Sequence, residues 1–375
     1  MKILFTGGGS GGHFYPIIAV AEQINNIVRE EKLIPAKLYF MSDASYDKLA
    51  LSRENIMFIN SPAGKLRRYF SLLNVVDVFR TALGTILSVF KLFIIFPDVI
   101  FSKGAYSSFP VVLAARFLGI PVVVHESDSV PGRVNVFAGR FAKRIALSYP
   151  EAAEYFESDK VAVTGNPLRQ EILRIREGGA HEFLGLEESF PVILILGGSL
   201  GAEMINNIIL EALPKLVEKY QIIHQTGKKN IVEITNTAKV ILEDNPMANR
   251  YKPFDYLNDL SITMSAGISS LIISRAGSTI FEIANWGIPS IIIPITDSNG
   301  DHQRRNAYAY ASTGACSVIE ENNLSSAVLM AEIDRLMKNE SIRQDMTIAA
   351  KGFARPDAAK SVAREIIRIA LSHEK

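Results

Sequence analysis

ILFTGGGSGGH, residues 3–13, combines a short apolar run, a glycine-rich turn and the first residues of an amphipathic stretch. VILILGGSLGA, residues 192–202, repeats this order in the second half of the chain. A buried strand, a glycine turn and a helix N-terminus form an anion site, because backbone N–H groups converge there and the helix dipole adds positive potential. Two such units predict an α/β protein with two Rossmann-like domains that face each other across a cleft and bind a phosphorylated ligand.

The bulk composition is that of a folded protein. The chain has 375 residues, enough for two domains with a core each, and 48% of them are hydrophobic. A net charge of +1 gives no reason to expect nucleic acid as a partner. The single cysteine, Cys316, excludes an internal disulfide framework and fits a reducing compartment. No basic and apolar leader precedes the first strand, so we expect no signal peptide and a cytoplasmic location.

Short β-branched runs alternate with longer helical patterns, as in parallel sheets with helices between the strands. In the first half the pattern predicts strands at residues 2–5, 37–41, 57–59, 99–101, 122–125, 145–147 and 161–164. In the second half it predicts strands at residues 192–196, 222–225, 271–274, 290–293 and 317–319. Gly165-Asn166-Pro167 interrupts the series, so we place a domain boundary after residue 166. Residues 357–372 carry the pattern of a closing helix.

Residues 82–97, ALGTILSVFKLFIIFP, raise the question of a membrane segment. The stretch has only 16 residues and contains Lys91, whereas a spanning helix needs about 20 predominantly apolar residues. We therefore expect a core helix or an interfacial helix here.

Several short motifs in the chain are weak evidence for other enzymes. Residues 7–12 satisfy the dinucleotide pattern GxGxxG, and Asp43 follows the second strand as a ribose-binding acid would, so an NAD-dependent oxidoreductase is an alternative. Five glycines in six residues, however, match almost any glycine motif. Both turns also match GxSxG, but a nucleophile elbow directly after the first strand does not suit an α/β-hydrolase. His125-Glu126 begins like the zinc motif HExxH, but residue 129 is serine, so we expect no metal site.

The ordered set of motifs resembles the bacterial MurG-type N-acetylglucosaminyltransferases, which convert lipid I to lipid II in peptidoglycan synthesis. The matching segments run in that family's order from end to end of the chain: GGGSGGH at 7–13 with Pro16, HE at 125–126 with PG at 131–132, TGNPLR at 164–169, GGSLGA at 197–202, HQTGK at 224–228, SRAGST at 274–279 with Glu282, DHQ at 301–303 with NA at 306–307, and ARPDAA at 354–359.

The resemblance implies a GT-B fold with two Rossmann-like domains. Residues 1–166, joined by the C-terminal helix in 356–375, would form the acceptor and membrane side, and residues 167–355 would bind the donor UDP-GlcNAc. The implied reaction moves GlcNAc to the C4 hydroxyl of MurNAc in undecaprenyl-diphosphate-linked lipid I, with inversion to a β-1,4 link and with no tightly bound cofactor or metal. Another GT-B UDP-sugar transferase or a UDP-GlcNAc 2-epimerase is the nearest alternative.

The resemblance assigns most donor contacts to the second domain. Glu282 accepts hydrogen bonds from the ribose hydroxyls of UDP, while Ser278 and Thr279 combine a helix N-cap with diphosphate binding. Ser199 lies at a further donor contact, and Arg169 reaches uridine or phosphate from the domain boundary.

Three more donor residues are expected in the second domain. The backbone of Leu257 recognises uracil, Gln303 touches the sugar hydroxyls that distinguish GlcNAc, and His302 lies beside it.

The first domain contributes Ser10, Gly11 and Gly12 to phosphate or donor binding. Asp128 stands where the family usually has Asn, and Leu200 where it has Gln. A carboxylate near a diphosphate is unfavourable unless it binds sugar hydroxyls or is turned away, so we count Asp128 among the donor-binding residues and leave the effect of its charge open. The loop at residues 104–108 aligns with the family's third glycine loop but is poorer in glycine.

Two residues are candidates for the base that deprotonates the acceptor hydroxyl. His13 closes the first glycine turn at a helix N-terminus, which disfavours the charged imidazolium and keeps the ring able to accept a proton. It can also contact the lipid I diphosphate or sugar. Glu126, at the end of its strand, is the second candidate. A non-catalytic sugar-nucleotide-binding protein would keep the glycine turns without these two side chains.

Residues 61–96 predict a surface that docks on the inner leaflet of the cell membrane, on its cytoplasmic face. Five basic residues against one acid give this segment an excess of four positive charges, which attracts anionic lipid, and apolar side chains are interleaved with them. The proposed docking residues are Lys65, Arg67, Arg68, Phe70, Leu73 and Phe79. A core helix with a solvated basic rim is the alternative. The expected partners are thus UDP-GlcNAc, lipid I and anionic lipids, with other cell-wall synthesis proteins as candidates and no nucleic acid.

Overall fold

The computed structural model describes residues 1–65, 73–198 and 202–372. The chain divides into two compact units. Met1–Arg169 together with Arg355–Lys375 form the first unit, and Gln170–Ala354 form the second.

The first unit contains a seven-stranded parallel sheet. Its strands are β1 (Lys2–Thr6), β2 (Lys37–Ser42), β3 (Ile56–Asn60), β4 (Val99–Ser102), β5 (Val122–Glu126), β6 (Arg144–Leu147) and β7 (Val161–Val163), in the order β3-β2-β1-β4-β5-β6-β7. Its helices before the boundary are α1 (Gly11–Glu30), α2 (Lys48–Arg53), α3 (Leu73–Ile95), α4 (Phe109–Leu118) and α5 (Arg133–Gly139), with short 3-10 helices at Tyr106–Ser108, Pro150–Tyr155 and Ser158–Lys160.

Helices cover both faces of this sheet, so its central strands are buried throughout. Side chains alternate between the faces along each strand. Ile3 and Phe5 of β1 pack in one core with Ile17 of α1, and Leu4 between them packs in the other core with Val111 of α4.

The second unit contains a six-stranded parallel sheet. Its strands are β8 (Val192–Leu196), β9 (Gln221–Gln225), β10 (Tyr251–Phe254), β11 (Ser269–Ser274), β12 (Ser290–Ile292) and β13 (Cys316–Val318), in the order β10-β9-β8-β11-β12-β13. Its helices are α6 (Gln170–Leu173), α7 (Ala180–Leu184), α8 (Glu203–Lys219), α9 (Ile231–Ile241), α10 (Asp259–Gly267), α11 (Thr279–Trp286), α12 (His302–Ala311), α13 (Ser326–Lys338) and α14 (Glu340–Phe353), with short 3-10 helices at Ala248–Arg250, Asn299–Asp301 and Glu321–Asn323.

The closing helix α15 (Ala358–Leu371) belongs to the first unit. Its apolar face, including Val362 and Ile366, packs in the core that α1 covers. Arg144 of β6 and Glu365 of α15 form an ion pair at 3.1 Å. The predicted closing helix is therefore present within a residue of its expected limits.

The predicted fold class, two Rossmann-like parallel sheets, is confirmed, and all the predicted strands are present. The prediction missed one strand, β10, whose sequence is YKPF. Pro253 cannot donate a ladder hydrogen bond, but β10 is an edge strand with only β9 as a neighbour, and an edge tolerates proline.

Of the two alternatives expected for residues 82–97, the core helix is wrong, and the interfacial helix stays a prediction. α3 runs from Leu73 to Ile95, and Phe79, Phe90 and Phe93 are between 64% and 72% exposed. Within the described part of the chain, one helix, Asn74–Ile95, is long and apolar enough to cross a membrane by length and composition, and only 17% of its most apolar window is buried. Hydropathy alone did not distinguish an apolar face that packs inside from one that lies on the surface.

Candidate active site

Each sheet reverses its strand order once, at β1/β4 in the first unit and at β8/β11 in the second. Connections leave such a point toward opposite faces, so a crevice opens at the carboxyl ends of the strands, where open α/β sheets bind ligands. The two predicted glycine turns follow β1 and β8. The neighbouring strands at these points, β4 and β11, end alike. Ser102 ends β4 and is followed by Lys103, and Ser274 ends β11 and is followed by Arg275. Each reversal point therefore combines a glycine turn with a basic residue.

The first glycine turn is held in a shape that requires glycine. Gly9 has φ +84°, a left-handed conformation that glycine adopts without steric cost. At Gly7 a Cβ atom would lie 2.9 Å from Cβ of Lys103. α1 begins at Gly11, and the first N–H groups of a helix have no intrahelical acceptor. Gly11 and Gly12 thus lie where an anion can bind.

Ser10 and His13 are brought together at the start of α1. Ser10 is the N-cap residue, and its carbonyl accepts the N–H groups of His13 and Phe14, both at 3.1 Å. The Ser10 hydroxyl lies 2.9 Å from Nδ1 of His13. This hydrogen bond orients the imidazole and distinguishes its two nitrogens.

Glu126, the other base candidate, is buried at the end of β5. Its carboxylate accepts four hydrogen bonds, from the N–H groups of Ser127 (2.7 Å), Asp128 (3.0 Å) and Gly132 (3.0 Å) and from Nδ2 of Asn135 (2.8 Å). Burial raises the pKa of Glu126 and the charge of Asp128 adds to the rise, against the opposing charge of Lys103. Because each oxygen accepts two protein hydrogen bonds, Glu126 fixes the turn at residues 127–132.

Lys103 was not identified from the sequence. It is 1% exposed, and its ammonium group donates a hydrogen bond to Oγ of Ser127. Burial lowers the pKa of Lys103 to about 8, although the charges of Glu126 and Asp128 act in the opposite direction. The signal available was a lysine placed between a buried strand and a glycine, at the sheet edge where ligands bind.

Asp43, the acid that the dinucleotide pattern assigned to a ribose, is hydrogen-bonded to the loop at residues 104–108. Its Oδ2 accepts a hydrogen bond from the hydroxyl of Tyr106 at 2.8 Å. Burial and this bond to Asp43 raise the pKa of Tyr106 to about 12. Although the loop is poor in glycine, Ala105 has a positive φ of +66°, which non-glycine residues rarely adopt.

The second glycine turn begins with Gly197 and Gly198 after β8, and α8 follows with Ala202 as its N-cap residue. Gly198 has φ +81°. The N–H of Gly197 donates to the carbonyl of Gln225 at 3.4 Å, which ties the turn to the end of β9. Ser199 and Leu200 lie outside the described residues.

The end of β11 leads into α11 and the predicted diphosphate and ribose contacts. Ser278 is the N-cap residue, as predicted, and Thr279 is the first helical residue. Helical angles at Ser278 (φ −61°, ψ −17°) keep its hydroxyl from the extended N-cap geometry, and within the described chain it makes no capping hydrogen bond. Glu282 is half-buried in the first turn of the same helix.

Arg275 braces this segment. Its guanidinium donates to the carbonyl of Ile293 at 3.2 Å and to Oε1 of Glu321 at 2.5 Å. Burial opposes ionisation of Glu321, but the N–H of Thr296 and the Arg275 guanidinium hold its pKa below the usual range. The ends of β11, β12 and β13 are thereby linked.

His302 and Gln303 are the first two residues of α12. Asp301 before them has φ +59°, a left-handed conformation that Asp tolerates. Oε1 of Gln303 accepts the N–H of Ile295 at 3.1 Å. The loop after β12 is therefore held against the first turn of α12 by the hydrogen bond between Ile295 and Gln303.

Leu257 is buried, and its N–H donates to Oε1 of Gln225 at 3.0 Å. Thr226 donates both its N–H (2.9 Å) and its hydroxyl (3.1 Å) to the carbonyl of Phe254. These bonds join the loop that carries Leu257 to the end of β9. In this arrangement the Leu257 N–H already has an acceptor within the protein.

A buried network supports the same loops. His224 is fully buried, with Nδ1 2.9 Å from the hydroxyl of Tyr251 and Nε2 3.0 Å from Oδ1 of Asn206. Because an amide oxygen only accepts, Nε2 carries the proton, and Tyr251 donates to Nδ1. Nδ2 of Asn206 donates to the carbonyl of Thr226 at 3.1 Å. Burial lowers the pKa of His224 to about 3, so the ring is neutral.

Arg169, the last residue of the first unit before the boundary, stacks its guanidinium over the ring of Tyr15 at 4.1 Å.

Of the predicted docking residues, Lys65 and Phe79 are exposed. Arg67, Arg68 and Phe70 lie outside the described residues, and Leu73 begins α3. Across residues 1–65, 73–198 and 202–372, no group of three His, Cys, Asp or Glu side chains is placed to hold a metal ion.

Comparison with known proteins agrees with this two-unit layout. Residues 3–147 match the glycosyltransferase family 28 N-terminal domain, and residues 192–362 match the C-terminal domain of the same family. A Bacillus thuringiensis protein named UDP-N-acetylglucosamine–N-acetylmuramyl-(pentapeptide) pyrophosphoryl-undecaprenol N-acetylglucosamine transferase 3 is 37% identical over 343 residues, which cover 90% of this chain and 92% of that protein.

Solved structures give the same fold. The crystal structure of Acinetobacter baumannii MurG superimposes with a TM-score of 0.73 at 26% identity, over 98% of this chain and 99% of that one. A putative UDP-N-acetylglucosamine 2-epimerase from Listeria monocytogenes has a TM-score of 0.71 at 16% identity, over 100% of this chain and 96% of that one. At such low identity the second likeness concerns the fold alone.

Proposed function

The chain belongs to the MurG family within glycosyltransferase family 28, and we propose that it transfers GlcNAc from UDP-GlcNAc to the C4 hydroxyl of MurNAc in undecaprenyl-diphosphate-linked lipid I, which yields lipid II. The reversal points of the two sheets carry this conclusion. The reaction uses two diphosphates, one in the donor and one in the acceptor, and each unit offers one glycine turn before a helix N-terminus.

The donor roles that we propose follow from the second unit. The N-terminus of α11, with Ser278 and Thr279, binds the diphosphate, and Glu282 accepts the ribose hydroxyls. The Ser278 hydroxyl is suited to this role because no helix N–H occupies it among the described residues. Gln303 and His302 contact the sugar, and Ser199 and Arg169 complete the set. Leu257 recognises uracil through its carbonyl, because its N–H is taken by Gln225.

The transfer needs a base for the acceptor hydroxyl and a stabilised leaving group. We assign the base to His13: its Nδ1–H donates to Ser10, and Nε2 takes the proton. Glu126, with four protein donors on its two oxygens, holds the turn that carries Asp128. Helix N–H donors stabilise the negative charge that develops on UDP. Ser10, Gly11 and Gly12 bind phosphate at the start of α1.

The acceptor is a lipid, so we further propose that the enzyme docks peripherally on the cytoplasmic face of the cell membrane. α3 is bound to its own unit on one side: Ser88 Oγ lies 2.8 Å from Ser61 Oγ, and the carbonyl of Ile95 accepts a hydrogen bond from Lys2. The other side exposes Phe79, Phe90 and Phe93. A helix attached along one side supports shallow insertion beside anionic headgroups rather than spanning.

The decisive experiment incubates the purified protein with UDP-GlcNAc, with and without a short-chain lipid I analogue. We expect UDP release and a β-1,4-linked disaccharide product only when the acceptor is present. An analogue that lacks the C4 hydroxyl is the matched control and should yield neither. Formation of UDP-ManNAc from UDP-GlcNAc alone, or no disaccharide with the intact acceptor, would overturn the proposal in favour of an epimerase or a binding protein.

A further inference from the structure

Three buried polar side chains form a chain of hydrogen bonds in the first unit. Lys103, Ser127 and Asn166 are 1%, 9% and 3% exposed. The Lys103 ammonium donates to Oγ of Ser127, and the Ser127 hydroxyl donates to Oδ1 of Asn166 at 3.0 Å. An ammonium group only donates and an amide oxygen only accepts, so the direction of the relay is fixed.

Asn166 lies in the segment where the chain leaves the first unit. We call residues 164–169 the crossover segment, because the chain enters the second unit after Arg169 and returns before Arg355. Gly165 has φ +84°, and a Cβ atom there would overlap Cβ of Arg355. The segment that leaves the first unit therefore lies against the segment that returns to it, at Gly165 and Arg355, and both residues belong to the first unit.

The crossover segment is anchored at two adjacent residues. Nε2 of His125 donates to the carbonyl of Gly165 at 3.0 Å, and Ser127 donates to Asn166. Both anchors come from the end of β5 and the turn that Glu126 fixes. Lys103 is the charged end of the second anchor, and it also packs against Gly7 in the first glycine turn. The relay thus connects that turn to the crossover segment.

A buried lysine needs a reason, because removing a charge from water is costly unless compensating groups are present. The carboxylates of Glu126 and Asp128 supply the opposing charge. The ammonium group donates its hydrogen bond to Ser127, which places it at the start of the relay.

We propose that Lys103 is a positioning residue: through Ser127 and Asn166 it holds the crossover segment in register with the first glycine turn, and so keeps that turn in place for the transfer step. The inference rests on the proposed transferase function, because the turn carries the proposed phosphate-binding residues and leads to the proposed base, His13. A broken relay displaces the turn without removing any group that touches either substrate.

The kinetic test compares Lys103→Met, Ser127→Ala and the double variant. Each single change should lower kcat about tenfold, because small misplacements of reacting groups are costly. The dissociation constant for UDP should stay within about twofold, since its proposed contacts other than Arg169 lie in the second unit, outside the crossover segment. The double variant should be no slower than the slower single variant, because both changes break one relay. Additive losses, or an unchanged kcat in Ser127→Ala, would overturn the proposal.

Thr164→Val is the matched control, because it removes a hydroxyl that lies in the same segment but outside the relay and that bonds, within the described chain, only to the adjacent Gly165 carbonyl. Its kcat should stay within about twofold of wild type. Should Lys103→Met fail to fold, Ser127→Ala, which deletes one oxygen, carries the test alone.

Hydrogen exchange separates this inference from the proposed function. In the substrate-free protein, backbone amides of the crossover segment should exchange faster in Ser127→Ala than in wild type, and Thr164→Val should leave them unchanged. A wild-type protein without transferase activity would refute the proposed function, and the exchange rates would then decide the relay by themselves. Unchanged exchange in Ser127→Ala would overturn the relay whatever the activity.

Discussion

The Ser10 hydroxyl lies 2.9 Å from Nδ1 of His13, three residues further along the chain in the first turn of α1. The bond assigns different roles to the two ring nitrogens. If Nδ1 carries the proton and donates to Ser10, Nε2 has the lone pair that a base needs, and the imidazolium formed during transfer keeps its bond to the serine oxygen. A cap residue and a base candidate thus form one hydrogen-bonded pair.

His13→Ala should lower kcat by about 10²-fold or more while changing the donor dissociation constant little, because it removes proton transfer and not donor binding. Steady-state kinetics with a lipid I analogue and calorimetry with UDP measure the two quantities. Glu126→Gln is the comparison: we expect its main effect on thermal stability, since an amide cannot accept the four hydrogen bonds of the carboxylate. A kcat of His13→Ala within a few-fold of wild type would move the base assignment to Glu126.

The elements that the sequence predicted best are those with a local cause. In the first glycine turn, Gly9 has a left-handed φ and Gly7 has no room for a side chain. Only glycine meets both requirements without strain, so the turn is visible in the sequence as a run of glycines. β10 was missed because Pro253 argues against a strand, and only its place at the sheet edge makes proline acceptable there.

The parts of the site that could not be predicted depend on tertiary contacts. The place of Lys103 between a strand and a glycine marks it as a candidate, but its burial and its partner Ser127, 24 residues away, are set by the fold. The environment of Glu126 depends on Asn135 and Gly132, which only the folded turn brings to its carboxylate. For α3 the sequence left a docking surface and a core helix open, because an apolar stretch has the same composition whether it packs inside or lies on the surface.

Glu282→Ala should raise the donor KM while leaving the fold intact. Loss of a charge-assisted hydrogen bond to ribose costs about 1.5–3 kcal/mol, and a half-exposed helix carboxylate contributes little to stability. Glu233, in the first turn of α9, is an exposed acid at a similar helix position. Glu233→Ala is therefore the matched control and should leave KM unchanged. Equal KM values for UDP-GlcNAc in Glu282→Ala and wild type would contradict the ribose role.

Thermal unfolding with nucleotides tests the choice of donor. UDP and UDP-GlcNAc should raise the melting temperature, because a ligand that binds only the folded state stabilises it by mass action. NAD should have no effect, since the acid that the dinucleotide pattern requires, Asp43, is hydrogen-bonded to Tyr106. An increase with NAD and none with UDP would reverse the assignment.

The buried His224 predicts an acid-sensitive second unit. Its pKa is about 3 in the folded protein against an ordinary value of 6.5, so between these values the unfolded chain binds a proton that the folded chain does not. The stabilisation is therefore complete above pH 6.5 and declines as the pH falls toward 3. Relative to His224→Gln, wild type should lose about 1–3 kcal/mol of unfolding free energy between pH 7.5 and 4.5.

Trp286, the only tryptophan, reports on this unit, because its Nε1 donates to the carbonyl of Ile172 within the second unit at 2.8 Å. Urea unfolding followed by its fluorescence gives the free energies. Between pH 7.5 and 8.5 the difference between wild type and His224→Gln should stay constant, because neither state binds the extra proton there. A difference that is also constant down to pH 4.5 would show that His224 does not drive the acid sensitivity.

Membrane docking through α3 makes the last prediction. The protein should sediment with anionic vesicles at low salt and be released at high salt, because headgroup attraction is screened. Lys65, Arg67 and Arg68 replaced together by Glu should abolish the attraction, and Phe79→Ser with Phe93→Ser should weaken binding at every salt concentration, because apolar insertion is not screened. The same pair of changes at Val232 and Val240, exposed apolar residues of α9 in the second unit, is the matched control and should leave sedimentation unchanged. If high salt and alkaline carbonate both fail to release the protein from the vesicles, α3 spans the bilayer. Equal binding to neutral and anionic vesicles would exclude the basic segment as the docking surface.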